Sequence, residues 1–136
     1  MAMNWRIRRR EFLAAGAAAS APLVLSPGVL AAPGKKGANQ RINVGHIGYG
    51  GRSRGLAREL GPLVEAGEAQ HVAVCDVDEK RLAQGPKDLG PQVDVYRDYR
   101  YLLDRKDIDA VVIGTPDHWH GVHFVHAAER GKHIYC

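Results

Sequence analysis

The chain has 136 residues, of which 45% are hydrophobic and 25% are charged, and it carries a formal net charge of +4. This mixture is typical of a globular domain and excludes a disordered chain, a collagen-like repeat and a protein with many membrane spans. Two cysteines are too few for a disulfide-rich scaffold. Most of the excess positive charge comes from four arginines before residue 11, so the remaining chain is near neutral and no nucleic-acid-binding groove is indicated.

The first 31 residues have the three-part layout of an export signal: a basic stretch, an apolar run over residues 12–25, and small residues ending at Ala31. Arg9-Arg10-Glu11-Phe12-Leu13 resembles the core motif of twin-arginine signals. We therefore expect interaction with the twin-arginine translocation machinery, cleavage after Ala31 and a periplasmic or otherwise exported protein. An ordinary secretory signal and an uncleaved amphipathic anchor are the alternatives. The apolar run is too short for a stable membrane span, which needs roughly 20 apolar residues.

Residues 32–40 lack periodicity and predict a linker, and residues 41–136 predict a folded body that alternates strands and helices. Apolar runs predict strands at residues 41–48, 71–76, 93–96, 108–114 and 133–136. Helical patterns cover residues 54–66 with a break at Gly61-Pro62, a short segment from Asp78 to about residue 84, residues 99–103, and residues 117–130 ended by Gly131. Residues 85–91 are predicted to be a loop.

This alternation predicts an α/β fold of the Rossmann type, with a doubly wound parallel sheet in the order 3-2-1-4-5 and the chain ending in strand 5. Ligands then bind beyond the carboxyl ends of strands 1 and 4. Cys75 and Cys136 end strands 2 and 5, about 14 Å apart at ~4.8 Å per strand spacing. Because a disulfide needs Cα atoms within ~7 Å, we expect two free thiols.

A glycine-rich loop, Gly48-Tyr49-Gly50-Gly51-Arg52-Ser53, follows the first strand and opens a helix, which is the context of a dinucleotide-binding fingerprint. Gly48 permits a tight turn, and Gly50 allows close approach of the backbone to a pyrophosphate. The helix N-terminus would hold that group through its free N–H groups. Ser53 stands where the fingerprint has Gly or Ala, and it is small enough for close packing of helix and sheet.

Asp76 ends the second strand, where a carboxylate can accept hydrogen bonds from both ribose hydroxyls of an adenosine. Its distance from the loop exceeds the usual ~20 residues, and an extension of the crossover at residues 62–68 accounts for the difference. Because a carboxylate repels a 2′-phosphate, NAD is favoured over NADP, although Arg81 leaves NADP open. The alternative function of Asp76 is to cap the next turn.

The motif Thr115-Pro116-Asp117-His118-Trp119-His120 follows the fourth strand, beside the predicted ligand site. Together with the glycine loop, Asp76-Val77-Asp78 and Gly131-Lys132-His133, it makes residues 41–136 similar to the Gfo/Idh/MocA oxidoreductases, most of all to their exported bacterial members. The resemblance implies that Thr115 and Pro116 line the cofactor near its ribose and nicotinamide end, and that His120 lies at the first turn of the next helix. It implies the following cofactor-binding set: Gly48, Tyr49, Gly50, Gly51, Arg52, Ser53, Asp76, Thr115, Pro116 and His120.

Two further side chains in this motif have predicted positions. Asp117 is the natural cap of the helix that it begins. Trp119 either packs under the cofactor or faces a substrate domain.

The resemblance also implies a second, C-terminal domain that holds a sugar or cyclitol-like substrate for hydride transfer. A Glu-Lys-Pro motif, whose lysine assists proton transfer, normally follows the fifth strand, and the sequence ends at Cys136, where that motif would begin. We therefore expect a truncated two-domain enzyme and assign no catalytic residue. Some relatives use bound NAD to cleave glycosides, so an NAD-dependent hydrolase is one alternative. A module that binds NAD without chemistry is another, and a homo-oligomer is left open.

Four histidines recur on the predicted helix after the fourth strand: His118, His120, His123 and His126. Their spacing can place imidazoles on one face, as in a metal site. Because no nearby Cys or Glu completes a ligand set, we expect solvated or packed histidines and no metal.

Overall fold

The computed structural model describes residues 40–136, so the predicted export signal and residues 32–39 of the predicted linker lie outside the described residues. Five strands form one sheet: β1 (Ile42–Ile47), β2 (Ala69–Cys75), β3 (Asp94–Tyr96), β4 (Ala110–Ile113) and β5 (His133–Tyr135). Every neighbouring pair is parallel, and the order is β3-β2-β1-β4-β5. The predicted Rossmann-type topology is confirmed.

Six helices connect the strands: α1 (Gly51–Glu59), α2 (Gly61–Glu65), α3 (Glu79–Leu82), α4 (Gly85–Leu89), α5 (Tyr99–Leu103) and α6 (Asp117–Glu129). The break predicted at Gly61-Pro62 separates α1 from α2, and Gly131 follows α6 with a φ of +67°, as a helix-ending glycine does. Within residues 40–136, no helix is long and apolar enough to cross a membrane.

Several details differ from the sequence-based prediction, among them the starts of β2, at Ala69 rather than at residue 71, and of β4, at Ala110 rather than at residue 108. α1 begins at Gly51 rather than at residue 54, directly on the glycine loop. The prediction of a loop at residues 85–91 is wrong, because α4 occupies most of this segment. Pro86 stands in the first turn of α4, where a missing N–H costs no hydrogen bond, and Gly90 ends the helix with a φ of +107°. Asp117 does not cap α6, because Pro116 takes that position and no side chain caps the helix.

Apolar side chains cover both faces of the sheet. On one face, β1 and β4 pack against α5 and α6 through Ile47, Leu102, Val111 and Ala127 among others. On the other face, Val44, Leu56, Ala69 and Val112 form a cluster with α1, and Tyr49, Ala57, Val74 and Val93 form another. Burial on both faces is expected of the central strands of a parallel sheet. The carboxyl ends of β1, β2 and β4 are thereby held at one edge.

Candidate cofactor-binding site

The turn from β1 to α1 has room only for glycine at its first position. Gly48 has a φ of +81°, a backbone conformation that side chains with a Cβ rarely adopt. A Cβ at Gly48 would lie 2.6 Å from Thr115 Cγ2 and 2.9 Å from the Thr115 backbone nitrogen. The Gly48 N–H donates to the Cys75 carbonyl at 2.8 Å. The glycine loop is therefore fixed against both the end of β2 and the segment that follows β4.

The N-terminus of α1 presents main-chain donors that no side chain caps. The hydrogen bond that begins the helix runs from the Arg54 N–H to the Gly50 carbonyl at 3.0 Å, and the N–H groups of the first turn precede it. A Cβ at Gly51 would meet no atom within 4 Å, so the loop is open on that side. A Cβ at Gly50 would lie 3.6 Å from Arg81 Nη1, which places a guanidinium beside the loop. Such a helix start is suited to an anion.

Ser53 lies in the contact between helix and sheet. Its side chain is fully buried, and a Cβ built on Gly114 would lie 2.6 Å from Ser53 Cβ. The serine fits at the third fingerprint position because β4 is followed by a residue without a side chain. Ser53 therefore contributes to the site by packing α1 closely against the sheet.

The Asp76 carboxylate is held rigidly by the backbone at the end of β2. It is 6% exposed; Oδ2 accepts a hydrogen bond from the Tyr49 N–H at 2.7 Å, and Oδ1 accepts one from the Asp78 N–H at 2.9 Å. Asp76 thus caps the following turn, which was the alternative function. A carboxylate oxygen has two lone pairs, so each oxygen keeps one acceptor position. Capping the turn and accepting from ribose hydroxyls are compatible at this side chain.

A cleft of about 310 Å³ opens at the carboxyl edge of the sheet. It brings together four of the predicted site residues, Gly48, Asp76, Thr115 and Pro116. The other residues that line it are Ile47, Cys75, Val77, Arg81, Arg97, Tyr99, Gly114, Trp119 and His123. Gly50, Gly51 and Arg52 lie at the start of α1 outside this lining.

Tyr49 offers only its main chain to the loop. Its side chain is 1% exposed and packs among Ala57, Val74 and Val93, in the core beneath α1. Burial, with a smaller contribution from the Asp88 carboxylate, raises the pKa of the phenol to about 12. Any contact of Tyr49 with a cofactor is therefore through the backbone.

The histidines of α6 have separate functions in the structure. His120 donates from Nε2 to the Thr115 carbonyl at 2.7 Å and so stabilises the loop after β4 instead of lining the cleft. His123 lines the cleft, and its Nδ1 lies 3.2 Å from Thr115 Oγ1. Burial, followed by the nearby His120 and His126, lowers the pKa of His123. Among the described residues, no three His, Cys, Asp or Glu side chains are grouped to hold a metal ion.

An aromatic wall forms one side of the cleft. The indole of Trp119 stacks on His123 with ring centroids 5.7 Å apart and an interplanar angle of 14°, and Tyr99 meets His123 edge-on at 4.4 Å. Trp119 stays 48% exposed. These rings come from helices that are distant in sequence, so the spacing of residues within α6 alone could not reveal the wall. The i, i+4 spacing of Trp119 and His123 was the available signal.

Two arginines, each near a carboxylate, also line the cleft. Arg81 lies 4.0 Å from an Asp78 oxygen, and Arg97 pairs with Glu79 at 3.0 Å, with both guanidinium groups largely exposed. Cys75, the last residue of β2, lines the cleft as well, and the pKa of its thiol is raised to about 12 by burial and then by the nearby Asp76 and Asp98. An uncapped helix start, a fixed carboxylate and a partly apolar wall together suit a dinucleotide with a ribose and two phosphates.

Residues 42–136 match the family described as the oxidoreductase family with an NAD-binding Rossmann fold, GFO_IDH_MocA. The chain belongs to this family. Its glycine loop, Asp76 and the Thr115-Pro116 turn therefore form part of an NAD-binding Rossmann domain.

Named relatives agree with this assignment. A glycosyl hydrolase family 109 protein from Stenotrophomonas maltophilia is 30% identical over 141 residues, which cover 96% of this chain and 29% of that protein. The scyllo-inositol dehydrogenase of Lactobacillus casei, solved with bound NAD(H) and scyllo-inositol, is 28% identical with a TM-score of 0.61. That match covers 69% of this chain and 27% of the dehydrogenase. The chain thus spans less than a third of the length of these relatives.

Proposed function

We propose that the chain is the NAD-binding part of an exported Gfo/Idh/MocA-type oxidoreductase that acts on a sugar or cyclitol-like substrate by hydride transfer. The observation that carries the proposal is the Asp76 carboxylate, which lines the cleft and accepts a hydrogen bond from Tyr49 in the glycine loop that leads into the uncapped start of α1. The inositol bound to the dehydrogenase from Lactobacillus casei supports the substrate class. When bound, NAD would supply the hydride acceptor.

The residues of this chain bind and orient the cofactor. The first-turn N–H groups of α1 would hold the pyrophosphate, and Asp76 would accept from the adenosine ribose. The backbone bonds to Asp76 fix the carboxylate before binding, so little side-chain entropy is lost when the ribose arrives. The aromatic wall around His123 would exclude water from one side of the dinucleotide. Residues 40–136 supply no assigned proton-transfer group.

Titration calorimetry of the full chain with NAD and with NADP tests the cofactor. The measurement is made on protein as expressed and again after bound nucleotide has been stripped. We expect NAD to bind more tightly, because the Asp76 carboxylate repels a 2′-phosphate and exposed Arg81 offsets that repulsion only in part. Binding of neither nucleotide would refute the proposal.

An NAD-dependent glycoside hydrolase is the second candidate, and the names of the relatives favour it. The protein from Stenotrophomonas maltophilia and a second one from Shewanella sp. strain W3-18-1, which is 36% identical over 102 residues, are both named glycosyl hydrolase family 109 proteins. Sequencing the gene beyond codon 136 and assaying the encoded protein would separate the candidates. Net NADH formation from a cyclitol supports the oxidoreductase, whereas release of an aryl alcohol from an aryl glycoside without net NADH supports the hydrolase. A stop codon directly after Cys136 would instead favour a module without chemistry.

Export through the twin-arginine pathway completes the proposal, and it rests on the sequence of residues 1–31. A protein that acquires its cofactor before crossing the membrane needs a route for folded proteins. Replacing Arg9 and Arg10 with lysine should keep the protein in the cytoplasm, as judged by cell fractionation. Unchanged export of this variant would refute the twin-arginine assignment.

A further inference from the structure

Two histidines meet beneath α1, on strands that are otherwise mostly apolar. His46 on β1 is fully buried, and His71 on β2 is 7% exposed. His46 Nε2 and His71 Nδ1 lie 3.0 Å apart, and His46 Nδ1 lies 3.3 Å from Ser53 Oγ on α1. Neither histidine lines the cofactor cleft, so the site described above gives them no function.

The protonation of the ring nitrogens can be assigned by starting from the contact between His71 and the backbone of Ala57. A hydrogen bond to the backbone of Ala57 acts to raise the pKa of His71, against a larger lowering by burial. A hydrogen bond that raises the pKa of a histidine is one in which the ring N–H donates. The partner of His71 is therefore the Ala57 carbonyl, because a carbonyl oxygen can only accept. Since Nδ1 of His71 faces His46, the donor to Ala57 would be Nε2–H, which would leave Nδ1 without a proton.

The remaining donors are then determined in sequence. His46 must donate from Nε2 to the bare Nδ1 of His71, and its own Nδ1 must accept from the Ser53 hydroxyl. With these tautomers, the two hydrogen bonds of His46 and the backbone contact of His71 would all run in one direction, from Ser53 through both imidazoles to Ala57. Ser53 and Ala57 are four residues apart on one face of α1. The chain of bonds therefore leaves α1, passes through β1 and β2, and returns to α1 one turn later.

We propose that His46 and His71 are positioning residues for the cofactor: their one-directional hydrogen-bond chain fixes the first turn of α1 against the sheet while both imidazoles are neutral. Ser53 belongs to that first turn, so its position determines where the preceding N–H groups point. The proposal rests on the binding of the NAD pyrophosphate at this helix start, and it adds the side chains that hold the helix there.

The surroundings of the pair favour the neutral rings. From α1 the imidazoles meet Ser53 and Ala57, and the Tyr49 ring lies edge-on to His46 with centroids 5.7 Å apart. On the neighbouring β4, the residue in register with His46 is the apolar Val112. Burial, followed by the nearby His71, lowers the pKa of His46 to about 3. A second proton on either ring would also put an N–H where the chain requires an acceptor.

Histidine-detected ¹⁵N NMR of the full chain tests the chain of bonds without any cofactor. We expect both His46 and His71 to show the Nε2–H tautomer, with no titration of His46 between pH 8 and about pH 5.5 and with the pKa of His71 below that of an exposed histidine. A proton on Nδ1 of either ring, or titration of His46 in this range, would overturn the proposal.

Calorimetric titration of three variants with NAD at neutral pH tests the positioning role. In His46→Phe the chain is broken, and we expect NAD affinity to fall by about tenfold or more. In His46→Gln an amide supplies a donor and an acceptor, and affinity should stay within about threefold of the unsubstituted chain. His133→Phe makes the same substitution at an exposed position on β5 and should leave affinity unchanged.

Each result separates this proposal from the proposed function. A folded His46→Phe variant with unchanged affinity would overturn the positioning role while leaving NAD binding intact. If His46→Phe does not fold, a tenfold loss of NAD affinity in folded His46→Gln would overturn the positioning role. Failure of the unsubstituted chain to bind NAD would refute the proposed function and the positioning role together, even if the tautomers were as expected.

Discussion

The turn at Gly48 allows a quantitative test of the link between backbone geometry and stability. In Gly48→Ala, a residue with a Cβ must adopt the left-handed backbone conformation at φ +81°, which costs about 1–2 kcal/mol. It must also displace Thr115, whose backbone nitrogen would be 2.9 Å away, and overpacking of this kind costs about 1–3 kcal/mol. The free energy of unfolding should therefore fall by about 2–5 kcal/mol. For a domain of roughly 100 residues this lowers Tm by at least about 8 °C.

Thermal unfolding followed by circular dichroism measures this loss, and Gly51→Ala provides the matched control. Gly51 is exposed in α1, a Cβ added there would meet no atom within 4 Å, and alanine is favoured over glycine in a helix by about 0.5–1 kcal/mol. The control should therefore unfold at the same temperature or a few degrees higher. If the Tm of Gly48→Ala lies within about 2 °C of the unsubstituted chain, the reasoning about this turn is refuted.

Three further measurements test other parts of the structure. Asp76→Ala leaves the buried Tyr49 N–H and the part-buried Asp78 N–H without their acceptor, so it should lower stability by about 1–3 kcal/mol and weaken NAD binding by at least about tenfold; equal affinity by calorimetry would contradict the function of Asp76. The pKa of His46 is about 3 in the folded state and 6.5 in an unfolded chain. Between these pH values the unfolded state binds a proton that the folded state does not bind, so the free energy of unfolding falls as pH falls. His46 alone should lower the free energy of unfolding by ~2 kcal/mol from pH 7 to pH 5, and His46→Gln should reduce that dependence in urea titrations; an identical dependence would be inconsistent with a buried neutral imidazole. Because Cys75 is buried with a pKa raised to about 12 and Cys136 is exposed, Ellman's reagent should titrate one thiol in the native chain and two in denaturant; two thiols reacting in the native chain would show that Cys75 is accessible.

The strands and their order could be predicted because each relevant signal is local or topological. Continuous apolar runs such as Ala110–Ile113 mark strands that are buried on both faces, and the alternation with helices restricts the connections to right-handed crossovers. The five-residue helix α4 was missed because one turn is too short to show helical periodicity. The cap of α6 was misassigned because Pro116, with its fixed φ, precedes the aspartate that would otherwise cap.

The residues of the cofactor site that follow strand ends could be predicted from the sequence, whereas the aromatic wall could not. Gly48, Asp76 and the Thr115-Pro116 turn follow strand ends, and parallel strands bring their carboxyl ends to one edge. The aromatic wall depends on how α5 and α6 pack, and the direction of each of their side chains is set by tertiary contacts. The same applies to His46 and His71, which are 25 residues apart and meet through strand pairing. A histidine in an otherwise apolar strand was the signal that could have drawn attention to them.

The contact between Ser53 and Gly114 restricts how this protein can change over evolutionary time. With 2.6 Å between Ser53 Cβ and a Cβ built on Gly114, the two positions share the volume of a single small side chain. Because Gly114 has no side chain to lose, a larger residue at position 114 is tolerated only when position 53 becomes smaller, and a residue larger than Ser53 has no compensation at position 114. Gly114→Ala should therefore lower stability less in a Ser53→Gly background than in the unsubstituted chain, while the contact of the new Cβ with the Gly48 carbonyl oxygen at 3.1 Å remains.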